Sequence, residues 1–209
     1  MRRRGRVTRG QRRALDELAD EYLVDPEPDQ WREVFGRDAP MGVEIGFGMG
    51  QALIDWAERA PECNLVGVEI YRPGIGSTLL GIERRQLANL RILEGDAATL
   101  VGEKFGAGSL DEIRIWFPDP WPKPRHHKRR LIQPKFVETL AACLKPGGRL
   151  RLATDWADYA EWMRGVLEGQ ACLVEAPTAA RGVTTRFEAR GKRLGHQVWD
   201  LAYERNPVD

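Results

Sequence analysis

The stretch VEIGFGMG, Val43–Gly50, decides how the rest of the chain is read. Apolar residues run into glycines at alternate positions, 46, 48 and 50, and an amphipathic segment, Gln51–Arg59, follows at once. Glycine lets a backbone turn sharply and approach a ligand closely. The stretch therefore reads as the end of a buried strand, a tight loop and the start of a helix. Its spacing is GxGxG, whereas a dinucleotide fingerprint is GxGxxG, and an acid, Glu44, stands two residues before Gly46.

Outward from this loop, short apolar runs alternate with helical patterns. Gly42–Ile45, Leu65–Ile70, Leu90–Leu93, Glu112–Phe117 and Arg149–Ala153 read as buried strands. Gln51–Arg59, Gly74–Ala88, Pro134–Leu144 and Asp155–Gly169 read as helices, with Pro134 as a start signal and Gly147–Gly148 after the end. Such alternation predicts an α/β, Rossmann-like fold, an open and mostly parallel sheet with helices on both faces. Two further runs, Cys172–Ala176 and Gln197–Tyr203, predict an antiparallel C-terminal strand pair and bring the sheet to seven strands. Residues 1–40 read as a basic N-terminal arm plus one helix, and 41–209 as the folded domain.

Ligands of such sheets sit beyond the carboxyl ends of the strands. Three acids fall there: Glu44, Glu69 (23 residues past Gly46) and Asp96, which precedes Ala97 in the segment EGDA. A carboxylate at Glu69 suits the two hydroxyls of a ribose, and Asp96 suits an adenine edge. Singly, each could equally be a helix cap or a solvated loop residue. A nicotinamide cofactor would also use a ribose acid, so Glu69 does not discriminate.

The 209 residues are 42% hydrophobic and 30% charged, with a net charge of +1. That figure hides a sorted distribution. Residues 1–13, 123–130 and 181–193 together hold 17 basic residues and one acid, Glu188; the remainder holds 15 basic and 30 acidic residues, a balance of −15. Basic clusters on an acidic body predict localised polyanion binding. Three dispersed cysteines without a CxxC pair argue against a disulfide framework or a zinc site. No apolar run approaches the roughly 20 residues of a membrane span, and Ala14–Val24 is too acidic for a signal peptide. A cytoplasmic protein with no membrane and no metal is expected; monomer and homodimer stay open.

The fourth strand runs into WFPDPWPK, Trp116–Lys123. Pro118 and Pro120 rigidify the turn around Asp119, and Trp116, Phe117 and Trp121 offer faces on which a base could stack. Directly after comes PRHHKRR, Pro124–Arg130, which reads as a phosphate-facing strip comprising Arg125, His126, Lys128, Arg129 and Arg130.

The Gly loop with its preceding acid resembles motif I of S-adenosylmethionine-dependent methyltransferases, and Glu44 suits that cationic cofactor where it would repel a diphosphate. The turn resembles the Asp/Asn-Pro-Pro-aromatic motif of methyltransferases acting on planar amino groups. The run FPDPWPKPRHHKRRL, Phe117–Leu131, resembles the signature of bacterial tRNA (guanine-N7-)-methyltransferases. So do RGRVTRGQ (Arg4–Gln11), EIGFGMG (Glu44–Gly50), GVEIYRPG (Gly67–Gly74), ATDW (Ala153–Trp156), TRFEARG (Thr185–Gly191) and LGH (Leu194–His196), in the family's order. Pro124 departs from the pattern, standing where a basic residue is common. The resemblance implies the class I methyltransferase fold, S-adenosylmethionine as cofactor and tRNA as partner. Glu44, Gly46, Gly48, Gly50, Glu69, Asp96, Ala97 and Asp119 would bind or line the cofactor pocket. Lys123, Asp155, Thr185, Arg186, Phe187 and Glu188 would contact the tRNA and its guanine, and Arg190 joins the phosphate contacts. Asp119 would be catalytic, and the target would be the variable-loop guanosine at tRNA position 46.

Guanine N7 carries a lone pair and no proton, so its methylation needs no general base. Placement in line with the donor methyl supplies much of the rate, up to about 7–11 kcal/mol. Asp119 would either stabilise charge developing on the base or orient it through N1–H and the exocyclic amine. The rival readings are a methyltransferase acting on a different RNA base or amino group, a nucleotide-dependent oxidoreductase, and a non-catalytic RNA-binding protein. The Thr-Arg-Phe-Glu and His-His-Lys-Arg-Arg blocks count against the first. The Gly spacing counts against the second, and the full set of strand-end acids against the third.

Overall fold

The computed structural model describes residues 5–181 and 197–207. The chain divides into two compact units, Met1–Gly106 and Ala107–Asp209. Its seven strands take the order β3-β2-β1-β4-β5-β7-β6 in one sheet.

In the first unit, β1 (Met41–Ile45), β2 (Asn64–Glu69) and β3 (Leu90–Glu94) are parallel. All five residues of β1 are buried, the charged-type Glu44 included, as expected of a parallel strand covered on both faces. Helix α4 (Gln51–Arg59) matches its expected range and buries Leu53, Ile54, Trp56 and Ala57, one face of a 3.6-residue repeat. Gly42 makes room for that face: a Cβ there would stand 2.4 Å from the Trp56 ring. Helix α5 (Arg72–Arg85) begins and ends earlier than expected, because Gln86 adopts the left-handed conformation (φ 54°) and stops it.

Before β1 lie three short helices rather than one: α1 (Arg9–Glu17), α2 (Ala19–Tyr22) and α3 (Trp31–Phe35). Helix α1 starts on a capping box, with Gln11 N–H donating to Thr8 Oγ1 and Thr8 N–H to Gln11 Oε1. Its inner face buries Gln11 and Ala14 against α5. Gly76 permits this approach, since a Cβ there would meet Gln11 Cβ and its carbonyl oxygen, each at 2.9 Å.

Helix α6 (Ala97–Lys104) was not legible in the sequence. It is only 8 residues long, too short for a marked apolar period, and Gly102 lowers its intrinsic propensity. It is held from outside instead. Trp31 donates its indole N–H to Lys104 O at 2.7 Å and stacks on Phe105 with centroids 5.0 Å apart.

The second unit contains β4 (Leu110–Trp116), α7 (Pro134–Cys143), β5 (Leu144–Thr154), α8 (Ala157–Glu168), β6 (Leu173–Glu175) and β7 (Trp199–Arg205). Strands β4 and β5 are parallel. The expected antiparallel C-terminal pair is present, with β7 inserted between β5 and β6. Strand β5 begins five residues before its expected start at Arg149: Leu144 already pairs with Leu110, and the register then shifts across the Pro-Gly-Gly stretch, where Gly147 has φ 79°.

Candidate functional site

In the first unit the three parallel strands end together, because Ile45 pairs with Val68 and Glu69 with Glu94. The predicted cofactor residues therefore line one edge. Glu44 is 2% exposed, a carboxylate inside the sheet just before the loop. Gly46, Gly48 and Gly50 have φ of 70°, 57° and 78°, the region L-residues avoid. A Cβ at Gly46 or Gly48 would meet nothing within 4 Å, so both positions border open space. At Gly50, by contrast, a Cβ would lie 2.0 Å from Thr78 Oγ1, so that glycine serves packing.

Glu69 holds the loop in shape. Its Oε2 accepts Gly48 N–H at 2.8 Å, and its Oε1 accepts the N–H groups of Ile70 and Tyr71 at 2.7 and 2.9 Å. A carboxylate has about four acceptor positions, so three are committed to backbone and a ribose would take what remains. Asp96 is the N-cap of α6, with Oδ1 accepting Ala98 N–H at 3.0 Å, and Ala97 opens that helix. The cap explains the residue locally and leaves Oδ2 to a ligand. Gly74 belongs to this edge too: a Cβ there would stand 1.9 Å from Gly48 O, so α5 reaches the loop only because position 74 is bare. Its signal was the Pro-Gly pair four residues after Glu69. A buried carboxylate, an open glycine cradle and acids at successive strand ends fit S-adenosylmethionine, a cation with a ribose and an adenine.

In the second unit, β4 runs on into the turn, with Phe117 N–H donating to Ala153 O at 2.8 Å. Phe117 (φ 52°) and Trp121 (φ 46°) are both left-handed and bracket the Pro118–Pro120 turn. For bulky aromatics this is uncommon and costs of order 1–3 kcal/mol each. Asp119 is exposed at its centre. The aromatic faces expected to stack on a base are lined by guanidinium groups. Arg151 and Arg181 lie over Trp116 at 5.7 and 5.9 Å, Arg181 over Phe117 at 5.2 Å, and Arg129 over Trp121 at 5.2 Å. Burial pushes the Arg151 pKa down.

The basic strip forms a 3-10 helix, Pro124–Arg129, opened by Lys123, whose carbonyl accepts His126 N–H at 2.7 Å. Lys123, Arg125, Lys128 and Arg129 are exposed. His126 is half-buried with its ring edge-on to Trp121 at 5.8 Å. Arg130 departs from the expected strip: it is 2% exposed, so its guanidinium points inward and not at solvent. Asp155 is half-buried at the end of β5, just before the exposed Trp156. Thr185, Arg186, Phe187, Glu188 and Arg190 lie outside the described residues. The N-terminal basic stretch is also revised. Arg13 donates to Glu83 at 3.0 and 2.5 Å and to Glu17 at 2.7 Å, so its charge is matched on the spot and the Glu83 pKa is drawn down. Arg6, Arg9 and Arg12 stay exposed.

Two groups with shifted pKa values are structural. Burial pushes the Cys143 thiol up, and it pushes Tyr159 up to about 12, keeping its hydroxyl neutral where it accepts Ile132 N–H at 3.2 Å. Among the described residues, no group of three or more His, Cys, Asp or Glu could hold a metal ion, and no helix is long and apolar enough to cross a membrane.

The sheet order, the antiparallel C-terminal pair and the acid-lined glycine loop define a class I methyltransferase that uses S-adenosylmethionine. A family model described as "Putative methyltransferase" matches residues 38–201. The 16S rRNA (adenine(1408)-N(1))-methyltransferase from Catenulisporales acidiphilia superposes with a TM-score of 0.62 at 20% identity, over 92% of this chain and 97% of that one, a likeness of fold. A tRNA (guanine-N(7)-)-methyltransferase of Paraburkholderia xenovorans is 47% identical over 97% of this chain and 81% of its own length. Another, of Halorhodospira halophila, is 49% identical over 99% of this chain and 94% of its own. The chain belongs to the tRNA (guanine-N7-)-methyltransferase family.

Proposed function

We propose that this enzyme methylates N7 of the variable-loop guanosine at tRNA position 46, in the cytoplasm, with residues 41–209 as the methyltransferase domain. The cofactor supplies a methyl group already activated on a sulfonium. Glu44 offers the cation a buried carboxylate, Gly46 and Gly48 admit it closely, and Glu69 and Asp96 take its ribose and adenine. Because N7 has no proton to lose, Asp119 acts on charge and position rather than as a base. It faces the guanine as positive charge develops there. Lys123, Asp155 and Thr185–Glu188 hold the base and its nucleotide, while Arg125, His126, Lys128, Arg129 and Arg190 grip phosphates. These contacts offset the few kcal/mol needed to take the base out of its stack.

The observation that carries this reading is the turn around Asp119. Strained left-handed aromatics on both sides of one exposed carboxylate, with exposed Lys123, Arg125, Lys128 and Arg129 next to it, suit an acid held ready for a nucleic-acid base. The test is labelled S-adenosylmethionine with unmodified tRNA, followed by borohydride–aniline cleavage. Cleavage after the variable-loop guanosine is expected. Methyl incorporation without cleavage would mean another base or amino group is the acceptor.

A further inference from the structure

Arg130 sits in the run PRHHKRR next to Arg129, identical in type and charge. Their surroundings are opposite. Arg129 is exposed and lies on Trp121. The Arg130 side chain is 1% exposed. A buried guanidinium needs a counter-charge and acceptors for its donors. Arg130 has them: Nη2 pairs with Asp158 Oδ2 and lies 3.0 Å from His127 Nε2, and Nε donates to Pro120 O at 2.9 Å. Its plane lies over Tyr159 and Trp162, at 4.9 and 5.3 Å from their ring centres. Asp158, Tyr159 and Trp162 share α8, so one face of that helix cradles a single guanidinium. The helix is anchored alongside by Trp162 Nε1–H donating to Ile132 O at 2.7 Å.

The destination of Nε matters most. Pro120 O belongs to the residue directly after Asp119, inside the turn bracketed by left-handed Phe117 and Trp121. A strained turn persists only where its surroundings over-determine it, and this bond ties it to a helix.

We propose that the Arg130–Asp158 pair is a positioning device for Asp119, and that Arg130 does not contact tRNA phosphate. It aims the carboxylate by holding the carbonyl of the next residue. This rests on the reading that Asp119 acts on the guanine. Lysine cannot replace the arginine, because one ammonium cannot serve Pro120 O and Asp158 from two fixed edges of a planar fork.

The test compares single-turnover methyl transfer at saturating tRNA and S-adenosylmethionine with the salt dependence of tRNA affinity. Arg130→Lys should lower the rate roughly 10- to 100-fold, the size expected from misplacement of about 1 Å. Lysine keeps the charge, so the phosphate question is put to Arg130→Gln, which should leave the salt slope of tRNA binding at wild type. Arg129→Ala, run alongside, should weaken binding and flatten the slope by about 0.7–0.9. A flattened slope in Arg130→Gln, or a wild-type rate in Arg130→Lys, overturns the proposal. Asp119→Asn separates the two ideas. If it keeps the wild-type rate, the reading of Asp119 is wrong; if it is slow while Arg130→Lys is fast, only the positioning role is wrong. Should Arg130→Lys fail to fold, Asp158→Asn removes the other half of the pair at a side chain that is 58% exposed. It should slow transfer about 10-fold with unchanged affinity, and a wild-type rate there overturns the proposal equally.

Discussion

Gly48 and Gly36 make a matched pair for separating backbone strain from ligand contact. Both have positive φ, 57° and 65°, and a Cβ on either would meet nothing within 4 Å. Alanine at either position therefore carries the same penalty, about 1–2 kcal/mol for an L-residue in the left-handed region, without a clash. For a chain of this size that lowers Tm by roughly 2–8 °C in both variants. The difference is what borders the open space. Gly36 ends α3, whereas Gly48 is held by Glu69 in the loop assigned to the cofactor. In Gly48→Ala the new methyl occupies the cradle, and S-adenosylmethionine affinity should fall at least about tenfold, or 1.4 kcal/mol. At a ligand concentration of 100 Kd the wild type gains about 2.7 kcal/mol from binding, a rise in Tm of roughly 5–10 °C. Gly36→Ala should keep that rise and Gly48→Ala should lose about half of it or more. Thermal scans with and without S-adenosylmethionine, with calorimetric titration for affinity, read both quantities. Wild-type affinity in Gly48→Ala would falsify the assignment of the loop, and an equal loss in Gly36→Ala would trace the effect to strain.

Arg13→Ala should leave the salt slope of tRNA binding unchanged, because its guanidinium is already committed to Glu83 and Glu17, while Arg12→Ala should flatten it by about 0.7–0.9 if that exposed residue meets a phosphate; filter binding from low to moderate salt distinguishes them. Tyr159→Phe removes the acceptor of Ile132 N–H and should cost about 1–3 kcal/mol in urea unfolding near neutral pH. Tyr159 also shapes the alkaline limb. Its folded pKa of about 12 lies above the unfolded value of 10, so the folded state keeps the proton longer and stability falls as pH rises from 10 to 12, by up to about 3 kcal/mol. That part of the limb should be missing in Tyr159→Phe.

Legibility followed how local the physics was. Helix α4 is readable to the residue because its glycine start and its apolar period are both written in ten consecutive positions, Gly50–Arg59. Helix α6 is not legible because Trp31, more than sixty residues upstream, supports its last turn, while its own cap, Asp96, reads equally as a cap, a loop residue or a ligand acid. The extra residues of β5 escaped because Pro-Gly-Gly reads as a turn until a neighbouring strand pairs around it. The early halt of α5 turned on one left-handed glutamine, which no local rule marks.

The sequence by itself determined the alternation of strands and helices, the loop of glycines with its acid, and the family, because each is a matter of residue type at fixed spacing. Tertiary structure alone decided which charges are available. Seven arginines in the first thirteen residues looked equivalent, yet Arg13 is spent on Glu83. Two adjacent arginines closed the basic strip, yet one faces solvent and the other is buried beneath the turn that holds Asp119. The physical reason is that charge is a property of the residue, whereas desolvation and pairing are properties of the neighbours that folding brings to it.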